Sequence, residues 1–166
     1  MNRFKIREIQ PKDNQGVATV IRNVLVEMGV PKVGTAYEDK SLEDMHGTYD
    51  NPRMKYFVVV ENGKLIGSAG IAPLTGAEDD ICELQKMYFL PEARARGIGA
   101  EMMQSCLNYA KSVGFKQCYL ETLPYMENAR KLYARSGFKS LEKPMGDTGH
   151  YNCSMWMLKD LDSIEI

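Results

Sequence analysis

The most informative stretch of the sequence is Leu90-Pro91-Glu92-Ala93-Arg94-Ala95-Arg96-Gly97-Ile98-Gly99-Ala100, which joins a predicted strand to a predicted helix. Gly97 and Gly99 would let the backbone come close to a ligand. The unpaired N–H groups of the first helical turn would point outward, with the positive end of the helix dipole behind them. Arg94 and Arg96 add positive charge. Such a turn is suited to binding a pyrophosphate. A tight strand–helix turn with two solvated arginines and no ligand would have the same sequence pattern.

Strand and helix patterns alternate on both sides of this turn. Apolar residues follow strand patterns over 3–10, 56–61, 64–72, 81–90, 117–122 and 151–158, where we predict strands. They follow helical spacing over 11–28, 38–46, 96–113 and 124–136, where we predict helices. Asn62-Gly63 between two apolar runs predicts a hairpin, because both turn residues accept positive φ.

These elements predict the fold class. Three strands in a meander are antiparallel, and the strand–helix–strand crossover over 82–122 should be right-handed and parallel. We therefore predict an α/β protein with a mixed, mostly antiparallel sheet flanked by helices, in one domain over residues 1–166.

Composition excludes several classes of protein. The 166 residues carry 21 Lys and Arg against 22 Asp and Glu, which does not favour a nucleic-acid binder or a basic membrane-surface protein. The apolar run over 57–60 is far shorter than the roughly 20 residues of a membrane span. No apolar segment of a secretory signal follows Met1, so we expect a cytoplasmic protein.

The cysteines and histidines do not form a metal-binding motif in the sequence. The only two histidines are His46 and His150, and no C-x-x-C pair occurs. We expect no metal and free, buried thiols in a reducing compartment. The four cysteines are Cys82, Cys106, Cys118 and Cys153.

Two motifs resemble those of a known superfamily. Arg94-x-x-Gly97-x-Gly99 after a strand resembles the acetyl-CoA signature of the GNAT N-acetyltransferases. The run over 129–138, Ala-Arg-Lys-Leu-Tyr-Ala-Arg-Ser-Gly-Phe, resembles the second motif of the same superfamily. The order of elements is similar to that family from residue 3 to about residue 160. Many members carry an asparagine where Met126 stands, and Asn128 lies nearby.

The resemblance implies an activity and its partners. It implies transfer of an acetyl group from acetyl-CoA to a primary amine of a small molecule or peptide, by direct attack in a ternary complex. A non-catalytic acyl-CoA-binding module that acts as a sensor or interaction partner is the alternative from a different class. From the composition we expect no nucleic-acid or membrane partner, and the sequence leaves a homodimer open.

The resemblance also implies an acid and a base. Tyr133 occupies the family's tyrosine position, and a phenol with a pKa near ~10 could protonate the departing thiolate. Without the motif, a core tyrosine would be the simpler interpretation. Glu83 lies where several members place a glutamate base, though a rim carboxylate is equally compatible with its position. Glu83 is about 13 Å along the strand from Met87, so proton removal through water is expected.

The remaining implied contacts are with the cofactor. The family's pantetheine arm runs beside the strand before the signature, which makes the backbone groups of Met87 and Phe89 candidates. Asn128 and Tyr133 are further candidates. The pyrophosphate would be held by the turn residues Arg94, Ala95, Arg96, Gly97, Ile98, Gly99 and Ala100.

Overall fold

A computed structural model describes residues 4–124 and 126–161. The described chain contains a seven-stranded sheet in the order β1-β2-β3-β4-β5-β7-β6. The strands are β1 (Phe4–Glu8), β2 (Lys55–Glu61), β3 (Lys64–Pro73), β4 (Ile81–Phe89), β5 (Gln117–Thr122), β6 (Lys139–Leu141) and β7 (Met155–Asp160). The helices are α1 (Asn14–Glu27), α2 (Met45–Tyr49), α3 (Ile98–Ser112) and α4 (Glu127–Arg135). The predicted mixed, mostly antiparallel sheet is confirmed.

One pair of strands in the sheet is parallel. β4 pairs with β5 only over Ile81–Glu83 and Gln117–Tyr119, while β1–β2, β2–β3, β3–β4, β5–β7 and β6–β7 pair antiparallel. Beyond Glu83, β4 continues beside β3, and β5 continues beside β7. A gap therefore opens in the middle of the sheet, between the carboxyl ends of β4 and β5.

A β-bulge in β4 accompanies this gap. The register of β3 and β4 shifts between Ser68 and Gly70, and Lys86 adopts a positive φ of 50°. The Tyr56 hydroxyl donates a hydrogen bond to the Lys86 carbonyl at 2.7 Å and accepts one from the Ser68 hydroxyl at 2.9 Å. A bulge increases the local bend of a strand, so this one directs β4 away from β5.

The helices cover both faces of the sheet. On α3, Ile98, Met102, Cys106 and Ala110 recur every four residues and are completely buried, as the helical spacing predicted. They pack with Leu132 and Tyr133 of α4 in one hydrophobic cluster. The buried stripe of α1, which includes Val17, Ile21 and Leu25, belongs to a second cluster that contains Val58.

The helix predicted over 38–46 is wrong. The segment forms two 3-10 turns, Ala36–Glu38 and Lys40–Glu43, before the short helix α2 begins at Met45. Asp39 is extended between the turns, and the Asp44 side chain caps α2 by accepting a hydrogen bond from the Gly47 N–H. Short polar residues favour such local caps over helix interiors, so the apolar spacing alone was misleading here.

The four cysteines differ in their burial. All four cysteines are free; Cys82, Cys106 and Cys118 are buried, whereas Cys153 is only partly buried. None of the helices within the described residues has the length and apolar character required to cross a membrane.

Candidate active site

The turn from β4 into α3 has an unusual backbone. Ala95 and Gly97 both adopt positive φ, at 59° and 78°, and regular helix begins at Ile98. A Cβ added at Gly97 would meet no atom within 4 Å, so positive φ, and not lack of space, favours glycine there. At Gly99, an added Cβ would lie 3.0 Å from Leu132, so this glycine allows α3 and α4 to approach each other.

This turn carries a run of free amide groups. Among the described residues, no hydrogen-bond acceptor is found for the backbone N–H groups of residues 95–100. The next amide, that of Glu101, bonds the Gly97 carbonyl at 3.2 Å, as expected once the helix has started. Consecutive unpaired amides at a helix N-terminus form a binding site for an anion such as a phosphate.

Both arginines of the turn form ion pairs with carboxylates of the chain. The Arg94 guanidinium donates to both carboxylate oxygens of Glu27, at 2.8 and 2.9 Å, and to the Phe89 carbonyl at 2.9 Å. Arg96 forms an ion pair with Glu61 and donates to the Glu92 carbonyl at 3.0 Å. These contacts hold the turn against the end of α1 and the end of β2, so both arginines help to fix the conformation of the turn.

A cleft of about 580 Å³ opens in front of the free amides. Of the residues expected to contact the cofactor, the cleft is lined by Met87, Phe89, Arg94, Ala95, Gly97, Gly99, Ala100 and Asn128. Arg96, Ile98 and Tyr133 are not among the lining residues. The Ile98 side chain is fully buried in the core, so only its backbone can contribute to the site.

Two cations that sequence reasoning missed also line the cleft. Lys131 and Arg135 lie one turn apart on α4, and neither has an ion-pair partner among residues 4–124 and 126–161. They stand inside the second motif, four residues apart, and that spacing was the available signal. They line the cleft together with Arg94 and add to its positive charge.

The edge of β4 beside the gap presents backbone groups to the cleft. The Leu90 N–H bonds the Ile66 carbonyl of β3 at 2.8 Å, so strand alternation directs the N–H groups of Phe89 and Met87 to the opposite side. The Phe89 carbonyl on that side is bound by Arg94. The two amides predicted to meet a pantetheine arm therefore face the gap.

Tyr133 lies in the core beside the cleft. Its ring packs edge-on against Phe138 with centroids 6.2 Å apart, and only 6 % of the residue is exposed. Burial raises the pKa of Tyr133, so the phenol stays protonated at neutral pH. Among the described residues, its hydroxyl has no hydrogen-bond partner and is not fully shielded from solvent.

Glu83 is a buried carboxyl at the point where β4 leaves β5. The residue is 7 % exposed, and the Gln85 side-chain amide donates to its carboxylate at 2.7 Å. Gln85 in turn accepts a hydrogen bond from the Tyr49 hydroxyl. Burial raises the pKa of Glu83 to about 7, which lies in the range that a general base needs at neutral pH.

Glu83 borders a small cavity of about 50 Å³ that adjoins the cleft. Tyr88 and Met126 line both spaces and so mark the boundary between them. The cavity is also lined by Glu121, His150 and Cys153. Its lining residues come from α1 and the segment after it, from β4, from β5 and the segment after it, and from the segment before β7, so no local sequence pattern could have grouped them.

Two loops close over this cavity through a charged network. Asp39 accepts from the Lys86 ammonium at 2.9 Å, and both of its oxygens lie 2.9 Å from Nε2 of His150. Burial lowers the pKa of His150, but the hydrogen bond and charge of Asp39 outweigh it, so that this pKa is raised. Asn152 also donates its backbone N–H to the Gly34 carbonyl at 3.0 Å. His150 and Asn152 therefore anchor the segment before β7 to the segment that contains Gly34 and Asp39.

Comparison with known proteins places this geometry in a family. The sequence profile of the acetyltransferase (GNAT) family matches residues 22–138. A relative from Escherichia coli, named Uncharacterized N-acetyltransferase YjgM, is 41 % identical over 157 residues and covers 94 % of each chain.

Solved structures show the same fold. A GNAT-family acetyltransferase from Staphylococcus aureus superimposes with a TM-score of 0.84 at 17 % identity, covering 96 % of this chain and 99 % of the other. YncA from Salmonella typhimurium, a putative acetyltransferase solved with its cofactor acetyl-CoA, superimposes with a TM-score of 0.77 at 15 % identity, covering 99 % of this chain and 98 % of the other. PaiA N-acetyltransferase from Thermoplasma acidophilum, solved with coenzyme A, superimposes with a TM-score of 0.74 at 17 % identity, covering 96 % of this chain and 99 % of the other.

Proposed function

Because the chain belongs to the acetyltransferase (GNAT) family and is an acetyl-CoA-dependent acyltransferase, we propose that it transfers acetyl to a primary amine by direct attack in a ternary complex. The observation that carries the proposal is the run of unpaired amides at residues 95–100 beside the open edge of β4. Structural neighbours solved with acetyl-CoA or coenzyme A support it through their shared fold.

The proposed position of acetyl-CoA follows from this arrangement. The pyrophosphate binds the amides of residues 95–100, with Lys131 and Arg135 on α4 supplying positive charge. The pantetheine arm lies along β4 and bonds the backbone of Met87 and Phe89, as an added strand would. This path leads the thioester toward the gap between β4 and β5.

The proposed general base is Glu83. An alkyl amine with a pKa near ~10.4 is protonated at neutral pH and must lose that proton before it can attack a thioester. Glu83 is buried at the closed end of the gap, on the far side of Tyr88 from the cleft. A water in the small cavity would relay the proton to the carboxylate.

The proposed general acid is Tyr133. Collapse of the tetrahedral intermediate expels the coenzyme A thiolate, which is stabilised when it receives a proton. The Tyr133 hydroxyl is protonated at neutral pH and has no partner among the described residues, so it is free to donate. An acyl-CoA-binding module without activity would need neither this hydroxyl nor a buried carboxyl on the other side of the gap.

The test is an acceptor screen that follows release of free coenzyme A thiol from acetyl-CoA. Diamines, amino acids, aminoglycosides and peptides with free N-termini represent the classes of primary amine. We expect thiol release above the amine-free rate with at least one class, and acetyl on the nitrogen by mass spectrometry. Binding of acetyl-CoA without turnover on any class would favour the binding module. Absence of binding would contradict both functions.

A further inference from the structure

Three potential metal ligands converge beside the small cavity. Glu121 lies on β5, and His150 and Cys153 lie in the segment before β7. One donor atom from each of these residues lies within 4.8 Å of the other two. They are separated by up to 32 residues, so the fold brings them together and the sequence spacing does not.

The surroundings of this cluster orient its donors. Nε2 of His150 faces the Asp39 carboxylate at 2.9 Å, and Nδ1 has no hydrogen-bond partner among the described residues. Both oxygens of Glu121 accept hydrogen bonds, one from the Tyr119 hydroxyl at 2.6 Å and one from the Thr148 hydroxyl. A carboxylate behind a histidine and hydroxyls behind a carboxylate are the partners that usually orient metal ligands.

We propose that Glu121, His150 and Cys153 form a binding site for a divalent cation of the zinc type. A thiolate, an imidazole and a carboxylate are the donor types that zinc accepts, and thiolate disfavours magnesium and calcium. Zinc–ligand bonds of about 2.0–2.3 Å place neighbouring donors roughly 3.5 Å apart, so the observed cluster needs to contract by about 1 Å. Three protein ligands leave a fourth position open toward the cavity.

The cation would join two parts of the molecule. Glu121 belongs to the sheet, whereas His150 and Cys153 belong to the loop that covers the cavity and bonds the segment around Gly34. Metal binding would therefore fix this loop over the cavity that Glu83 borders. The site does not depend on the proposed acetyl transfer, because its evidence is the donor geometry alone.

The first test measures zinc bound to the full-length protein. Protein treated with a chelator is mixed with zinc chloride, exchanged into metal-free buffer and analysed for metal content. We expect one zinc per chain in the wild type, and loss of that zinc in Cys153→Ser and His150→Gln. His46→Gln is the matched control, because His46 is the other histidine and lies on α2 outside the cluster. Circular dichroism verifies that each variant is folded.

The second test uses cobalt chloride as a spectroscopic probe on the same proteins. A bound thiolate gives cobalt an intense near-ultraviolet charge-transfer absorption, which we expect in the wild type and His46→Gln and not in Cys153→Ser. Zinc should also protect Cys153 from alkylation. The proposal is overturned if the wild type retains no zinc, or if Cys153→Ser keeps the same cobalt spectrum. Alkylation of Cys153 at the same rate with and without zinc would also overturn it, since a zinc-bound thiolate would be protected.

Discussion

Glu83 shows how the fold changes the chemistry of a single residue. The carboxyl is removed from water where two parallel strands begin to separate, and one side-chain amide compensates part of the lost hydration. The fold therefore holds the pKa of Glu83 at about 7, and this group changes its charge in the physiological range. A pKa that differs between the folded and the unfolded state makes the free energy of unfolding depend on pH.

Replacing Glu83 with Gln should reveal this shift in the free energy of unfolding. The pKa of Glu83 is 4.5 in the unfolded chain and about 7 in the folded protein. Between about pH 4.5 and pH 7, the unfolded chain has lost this proton while the folded protein still holds it, so the free energy of unfolding of the wild type falls as the pH rises through this range. Glu83→Gln carries no such penalty and should be more stable than the wild type by about 3 kcal/mol at pH 8, with little difference at pH 4. Urea unfolding of chelator-treated protein at several pH values measures this.

The same substitution has an expected effect on turnover. The kcat/KM of the wild type should rise with pH through the region near 7, and Glu83→Gln should be slower and lack that rise. If the difference in free energy of unfolding between the two proteins stays the same from pH 4 to pH 8, the raised pKa of Glu83 is contradicted. Identical pH profiles of turnover would remove Glu83 from the mechanism.

Tyr133→Phe tests the general acid at the same scale. The substitution keeps the ring that packs on Phe138 and removes only the hydroxyl, so affinity for coenzyme A should stay unchanged while kcat falls by about 10²-fold. Tyr109→Phe is the control, because the Tyr109 hydroxyl bonds the Met54 carbonyl and is not among the residues that line the cleft. Steady-state kinetics and isothermal titration measure the two quantities. Equal kcat in Tyr133→Phe and the wild type would contradict the assignment.

At the scale of elements, the start of α3 combines a strained backbone with free amides. Gly97 precedes α3 with a φ of 78°, and Gly114 follows it with a φ of 92°. Neither position has an atom within 4 Å of an added Cβ. Both positions therefore favour glycine for the same reason, their positive φ, but only Gly97 lines the cleft.

This pair of glycines separates stability from binding. Gly97→Ala and Gly114→Ala should each destabilise the protein by about 1–2 kcal/mol, because alanine is strained at positive φ. Only Gly97→Ala should weaken binding of coenzyme A, since relief of the strain would rotate the amides of residues 95–100. Thermal unfolding and isothermal titration measure the effects. Similar losses of affinity in both variants would show that general destabilisation is responsible.

The sequence predicted the elements well where neighbours in the chain determine them. The four-residue spacing of α3 and the turn at Asn62-Gly63 depend on local patterns, and both are present. The pairing of Arg94 with Glu27 joins residues 67 apart, and that of Arg96 with Glu61 joins residues 35 apart. No periodicity contains such information, so the sequence did not reveal the partners of the two arginines. The grouping of Glu121, His150 and Cys153 was missed for the same reason.

At the scale of the whole molecule, acetyl-CoA should connect the two hydrophobic clusters of the fold. The cleft is lined by α1, by the end of β4 and by α4, so a ligand there contacts both hydrophobic clusters. We expect a single unfolding transition. Ligand at 100 times its dissociation constant adds about 2.7 kcal/mol of stability, which corresponds to an increase in Tm of roughly 5–10 °C for a domain of this size. Differential scanning fluorimetry tests this, with adenosine as a control ligand that lacks the pyrophosphate and the pantetheine arm. No increase in Tm with acetyl-CoA would contradict the cofactor site.

The gap between β4 and β5 also affects how copies of the protein behave in concentrated solution. Beyond Glu83, the edge of β4 that faces the gap pairs with no other strand of the described chain, although Arg94 binds the Phe89 carbonyl there. Strand edges of this kind recruit strands from other chains. Coenzyme A lying along that edge would occupy the same hydrogen-bonding groups. The ligand-free protein should therefore aggregate faster on mild heating than the saturated protein at an equal distance below their respective Tm values, as followed by light scattering. Loss of the cofactor would then leave the chain prone to self-association as well as inactive.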